Sequence, residues 1–257
     1  MKLASYADGS RDGHLVVVSR DLTQAHYATG IATRLQQVLD DWGFVAPQLE
    51  DLAVQLNHGK LRHAFAFEPA KCLAPLPRAY GWAVVDGEGG VRRDAGHFSA
   101  PHQPLRAPAA GEAVLAGISG DLGAAADVAA ALDALRLLTL ALDWRLGGEL
   151  LATQCAPVAV TPDELGDAWT GGRLQARLAV LHNGARQEPL DVTVAPGESL
   201  ARVGRLRALR AGQATGTLLG GLDLRLAPGD SLHLDIKTAA GASLFGAIDL
   251  DIAPDTP

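Results

Sequence analysis

Residues 111–122 read GEAVLAGISGDL, and residues 128–144 read VAAALDALRLLTLALDW. The first stretch predicts a strand over Ala113–Ile118. The second predicts a helix capped by Asp127, with Val128, Leu132, Leu135, Leu138, Thr139 and Leu142 on one face. Asp133, Arg136 and Asp143 interrupt it, so it falls short of the ~20 apolar residues that a membrane span requires. Two carboxylates, Glu112 and Asp143, sit at the margins of these apolar runs.

On the N-terminal side, Leu15–Val18 reads as a strand after the turn Asp8–Gly13. Asp21 with Gln24 predicts a capping box. The helix would bury Ile31, Leu35, Val38, Leu39 and Trp42 and stop near Gly43. A second helix is expected from Pro47 to about Leu56, ended by Asn57–Lys60. Pro75 and Pro77 mark an extended crossing, and a domain boundary is placed at residue 73. Trp82–Val85 and Val91–Arg93 flank the turn Asp86–Gly90 as a hairpin. Residues 95–111 read as loop.

On the C-terminal side, Thr161-Pro162-Asp163-Glu164 opens a short helix reaching about Trp169. Leu174–His182 alternates, and Asn183-Gly184 supplies a type I′ turn into a returning strand. Leu224–Asp235 and Leu244–Asp251 form another antiparallel pair around Ala240-Gly241. The sum is an α+β chain: a small α/β unit over 1–73, then a β-rich unit over 74–257 with one long helix.

Composition narrows the function classes. The 257 residues are 48% hydrophobic and 20% charged, which is globular. Twenty-nine glycines and 14 prolines predict many turns. A net charge of −7 disfavours nucleic acid as a partner, because holding a phosphate backbone is mostly cation neutralisation. Arg202, Arg205, Arg207 and Arg210, the densest basic cluster, read as a solvated surface. The first 12 residues carry no apolar signal segment, and no membrane partner is expected. Cys72 and Cys155 lie far apart and read as small buried thiols of a reducing cytoplasm.

In order along the chain, KLASYADGSRDGHLVVVSRDL (2–22), ATRLQQVLDDWGF (32–44), QLNHGK (55–60) and CLAPLPRAY (72–80) resemble the fumarylacetoacetate hydrolase family. The fragments match a bacterial branch with a small N-terminal domain. GEAVLAGISGDL, LRLLTLALDW, APVAVTPDELGDAW (156–169), LHNGA (181–185), LRALRAGQATGT (206–217) and LAPGDSLHLDI (226–236) follow in family order. The resemblance implies a β-rich main domain, commonly dimeric. It also implies Mg²⁺ or a similar ion chelating an acylpyruvate-like keto acid while an activated water breaks a C–C bond.

Carried over residue by residue, the resemblance leaves gaps. The family's Glu-x-Glu strand becomes Glu112-Ala113-Val114, so Val114 stands where a second ligand belongs. The two positions share a face by the period-two rule, and valine offers no lone pair. Asp143 matches the later metal aspartate. Glu112 and Asp143 are therefore the two candidate metal residues, for Mg²⁺ or Mn²⁺. The family's lid and base segment is replaced by Tyr80-Gly81-Trp82 and the DGEGG turn, with His97 and His102 in the following loop. No lysine occurs in Leu151–Pro157, where a substrate-positioning one is implied. Thr215-Gly216-Thr217 is retained. No G-x-S-x-G elbow, Walker loop or dinucleotide fingerprint is present.

Two readings follow. In the first, the chain keeps the fold without catalysis or cofactor, as a scaffold, a homodimer, a partner of an active family member, or a binder of small keto acids. In the alternative it is a metal-dependent hydrolase or decarboxylase whose site is rebuilt from His97, His102, Glu112 and Asp143.

Overall fold

A computed structural model describes residues 1–94, 96–105, 109–220, 222 and 224–253. Two sheets organise it. The larger, of 13 strands, runs in the order Phe65–Ala66, Gln24–Tyr27, His14–Val18, Lys2–Tyr6, Ala159–Val160, Leu135–Leu146, Ala109–Ser119, Gln213–Leu218, Gly81–Val85 and Val91–Asp94. Glu149–Cys155 pairs along Leu135–Leu146 off this path. The smaller sheet runs Trp169–Thr170, Arg173–His182, Ser231–Lys237 and Ile248–Asp251. The N-terminal strand Lys2–Tyr6 hydrogen-bonds to Ala159–Val160, so one sheet runs through both the first 73 residues and the rest.

Alternation along the central strands divides the interior in two. Leu138, Leu140, Leu142, Ala113 and Leu115 face a core shared with the smaller sheet and with Leu200 and Val203 of the helix Pro196–Leu206. Leu137, Ala141, Val114, Ala116 and Ile118 face a second core with Leu35, Val38, Leu49 and Leu56 of the N-terminal helices. Glu112 and Asp143, being even and odd partners of that same register, belong to this second face.

Several elements differ from the sequence expectation. The long helix ends early: Val128–Ala134 is helical, with Asp127 accepting from the Ala130 amide at 2.9 Å, and Leu135–Leu146 is a strand. Leucine suits either state. Here the run is paired on both edges and buried on both faces, and a sheet interior tolerates a continuous apolar run where an amphipathic helix needs a polar face. Asp21 caps no helix. It accepts from Ser19 Oγ at 2.6 Å and Thr23 N at 3.1 Å, tightening a turn into the strand Gln24–Tyr27. The two N-terminal helices are Leu35–Asp40 and Trp42–Asn57, broken at Asp41 rather than at Gly43.

The helix Pro196–Leu206 was not expected, although Pro196 at its first turn, Glu198 near its start and Arg205 near its end are ordinary helix signals. Arg202, Arg205, Arg207 and Arg210 are exposed, as read. The Asn183-Gly184 turn has both residues at positive φ, 51° and 73°, as a type I′ hairpin requires. Cys72 and Cys155 are buried free thiols, and burial pushes Cys72 up to about 12. Among the described residues no helix is long and apolar enough to cross a membrane. The expected loop 95–111 falls partly outside the described residues, and Phe98–Ser99 within it is a short strand.

Candidate functional site

Glu112 and Asp143 are direct partners across two antiparallel strands. Directly opposed residues point to the same side of a sheet, so the structure brings the two candidate carboxylates together. What surrounds them decides their chemistry. Arg92, from the Gly81–Asp94 hairpin, grips Glu112 with two hydrogen bonds, at 3.1 Å to Oε1 and 2.7 Å to Oε2. Arg145, two residues after Asp143 on the same strand face, donates its Nε to Glu112 Oε2 at 3.1 Å. One of its Nη groups lies 3.0 Å from Asp94 and 3.5 Å from Asp143, and the other donates to the Gly148 carbonyl.

Asp143 is wholly buried. Its Oδ1 accepts from Thr153 Oγ1 at 2.5 Å, and the Trp82 indole N–H reaches both oxygens at 3.1 and 3.2 Å. Burial pushes its carboxyl above the usual range, and the Thr153, Trp82 and Arg145 contacts offset this in part. Burial alone would raise Glu112 too, but its bonds to Arg92 and the Arg145 charge outweigh it and hold that carboxyl low. The cluster sets three carboxylates against two guanidiniums, so a proton on Asp143 brings it to neutrality.

A divalent ion does not fit here. All four carboxylate oxygens of Glu112 and Asp143 already have partners, and Arg145 reaches both groups from between them. A hard cation needs several free oxygen ligands and would lie against two positive side chains. Val114 is fully buried among apolar neighbours and cannot help. His97 and His102 are exposed. Among the described residues no group of three or more His, Cys, Asp or Glu side chains is placed to hold a metal.

Trp82, Arg92, Arg145 and Thr153 escaped the sequence reading. Arg145 had a signal, its i+2 spacing from Asp143. Thr153 had a weaker one: Gly147-Gly148 makes a hairpin turn, which lays Thr153 opposite Asp143. Arg92 and Trp82 arrive through pairings distant in sequence.

Thr215-Gly216-Thr217 has a structural role beside this cluster. A Cβ on Gly216 would meet Val114 Cγ1 at 2.4 Å and Trp82 Cη2 at 2.6 Å. Glycine there leaves room for the Trp82 ring, whose N–H reaches Asp143. Gly216→Ala is expected to cost about 1–3 kcal/mol by overpacking, read from denaturant midpoints. A midpoint equal to wild type would show that Trp82 is not held by this contact.

Comparison with known proteins agrees with this architecture. Residues 1–78 match the family model described as fumarylacetoacetase N-terminal domain 2. Over the whole length, the backbone superposes on solved members of the wider family. The chain has the fumarylacetoacetate hydrolase fold. A maleylpyruvate hydrolase from Sphingobium, solved with manganese(II) and pyruvate, aligns with TM-score 0.71 and 17% identity over 98% of this chain and 100% of that one. A fumarylacetoacetate hydrolase from Exiguobacterium antarcticum gives 0.72 and 18% over 99% of each. A probable 2-hydroxyhepta-2,4-diene-1,7-dioate isomerase from Mycobacterium abscessus gives 0.70 and 16%, covering 100% of this chain and 99% of that one. No curated protein matches the sequence. At these identities the likeness carries the fold of the fumarylacetoacetate hydrolases and not their chemistry. The alignments run nearly end to end in both chains, so the path of the fold is followed throughout.

Proposed function

We propose that this chain is a catalytically degenerate member of the fumarylacetoacetate hydrolase family, retained as a cytoplasmic scaffold or subunit partner. It works as a homodimer or beside an active relative, with at most weak affinity for small keto acids. The observation that carries this reading is Arg145, whose guanidinium lies against both Glu112 and Asp143. A fixed internal cation there gives the two opposed carboxylates their counter-charge without a metal. Arg92 completes it on the outer side, and Trp82 and Thr153 on the inner. The Sphingobium relative, solved with manganese and pyruvate, exemplifies the chemistry that this chain has given up.

The alternative, a metal-dependent hydrolase or decarboxylase of acylpyruvate-like acids, draws on the opposed placement of Glu112 and Asp143. It requires Arg145 to leave both carboxylates when an ion arrives. Calorimetric titration with Mg²⁺ and Mn²⁺, with and without pyruvate or oxalate, separates the two. No saturable binding in the millimolar range is expected. Saturable binding that Glu112→Ala and Asp143→Ala abolish would overturn the degenerate reading and support the hydrolase.

A further inference from the structure

A second feature of the fold lies away from the carboxylate cluster. The chain has four lysines against eighteen arginines. Lys60 and Lys71 are exposed and Lys237 is half-buried. Lys2 is buried, with 4% of its surface exposed, yet it lines a cleft of about 990 Å³. The short 3-10 segment Pro162–Ala168 and the loop 238–244 contribute to the same cleft, with Gln175 and Arg177 of the strand Arg173–His182.

The Lys2 amine is oddly provided for. It donates to the Leu244 carbonyl at 2.9 Å and more weakly to the Ser243 carbonyl at 3.5 Å. Among the described residues no carboxylate forms an ion pair with it. The acidic groups nearest in influence are already engaged. Glu164 pairs with Arg20 at 2.7 Å, and Asp235 accepts from Ser243 Oγ at 2.7 Å and faces Lys237 at 3.6 Å. A buried lysine kept for structure is ordinarily paired. An unpaired one on a cleft wall has the environment of an amine nucleophile.

We propose that Lys2 is a carbonyl-reactive amine, and that the cleft accepts a small aldehyde or ketone which condenses with its Nζ. The free amine adds to the carbonyl carbon, giving a carbinolamine after a proton passes from nitrogen to oxygen. A proton taken from solvent lets that oxygen leave as water, and the nitrogen lone pair forms the C=N bond while the N–H stays. The protonated imine keeps a single N–H, which the Leu244 carbonyl is placed to accept. No oxidant, reductant or metal is consumed. Asp163, Glu164, Asp167 and Asp191 line the cleft against Lys2, Arg20 and Arg177, so an uncharged carbonyl compound suits it better than a keto acid.

The protonation balance agrees with this geometry. Burial lowers Lys2 to about 8, against a raising influence from Glu164. An amine of that pKa is ~200–300-fold richer in its free-base form at neutral pH than an ordinary surface lysine. Burial shifts the balance toward the nucleophilic free base, which is the minor form at neutral pH.

The test treats the whole folded chain with glycolaldehyde and cyanoborohydride at neutral pH, which fixes any imine as a stable amine. Peptide mass spectrometry follows all four lysines over time, with fragment ions separating the Lys2 side chain from the backbone amine of residue 1. Lys2 is expected to be modified at least tenfold faster than Lys60, Lys71 and Lys237, with a rate that saturates in aldehyde. Lys2→Arg keeps the positive charge and a donor for Leu244, and should remove the fast phase without changing the circular dichroism. Modification of Lys2 at or below the rate of the exposed lysines would overturn the proposal and leave Lys2 as a strut for the 238–244 loop.

Discussion

Replacing Arg145 with methionine is expected to cost about 3–5 kcal/mol of folding stability near neutral pH, because it leaves a buried carboxylate without its cation. Methionine keeps much of the side-chain length, so the loss reports on charge and hydrogen bonds more than on volume. Arg145 is 12% exposed and touches Glu112, Asp94, Asp143 and the Gly148 carbonyl, which places the deficit well above that of a surface pair. Its pH dependence is diagnostic. Burial raises the folded-state pKa of Asp143 above the unfolded value. Stability tied to that proton is complete below the unfolded pKa and is lost as pH rises through the folded one. Without Arg145 the folded pKa rises further, so the deficit grows with pH and shrinks in acid. Asp143→Asn in the same background removes the orphaned charge and should recover at least half of the loss. Denaturant unfolding of the single and double variants across the acid to neutral range makes the measurement. A single variant within about 1 kcal/mol of wild type would mean that Arg145 does not compensate the cluster.

Trp82→Ala is the second large effect, expected at about 3–5 kcal/mol. The indole is fully buried, stands edge-on to Phe98 with ring centroids 5.2 Å apart, and supplies the N–H that both Asp143 oxygens share. Truncation therefore opens a cavity and strips a donor from a buried carboxylate in one step. Trp82→Phe separates the two contributions: it keeps an aromatic ring against Val114 and Gly216 and loses the N–H, at a cost of about 1–3 kcal/mol. Equal losses for the two variants would assign the whole effect to the hydrogen bond. A negligible loss in Trp82→Phe would assign it to packing.

Both experiments address residues that sequence reading did not single out. The carboxylates themselves were legible. Glu112 stands at the head of a strand pattern and Asp143 at the end of an apolar run, and motif order linked both to the resemblance. Their partners were not, because Arg92 and Trp82 reach the cluster across the sheet. Trp82 lies on a strand parallel to Gln213–Leu218, some 130 residues away in the chain. Nothing local in Tyr80-Gly81-Trp82 announces an aspartate beneath the indole. Lys2 was equally silent: its neighbours at 243 and 244 close over it from the far end of the chain.

By itself the sequence determined the class of fold, the hairpins at Asp86–Gly90 and Asn183-Gly184, the apolar strands and a valine at 114, where the resemblance implies a metal-ligating glutamate. Those are local or period-two properties, fixed by turn chemistry and by which side chains face a core. Tertiary structure alone decided that Leu135–Leu146 is a strand, since its leucines accept either state until sheet partners bind both edges. It also decided that Glu112 and Asp143 meet arginines rather than open space. Electrostatic fate depends on which charges arrive within a few ångströms, and that is set by pairing between segments far apart in the chain.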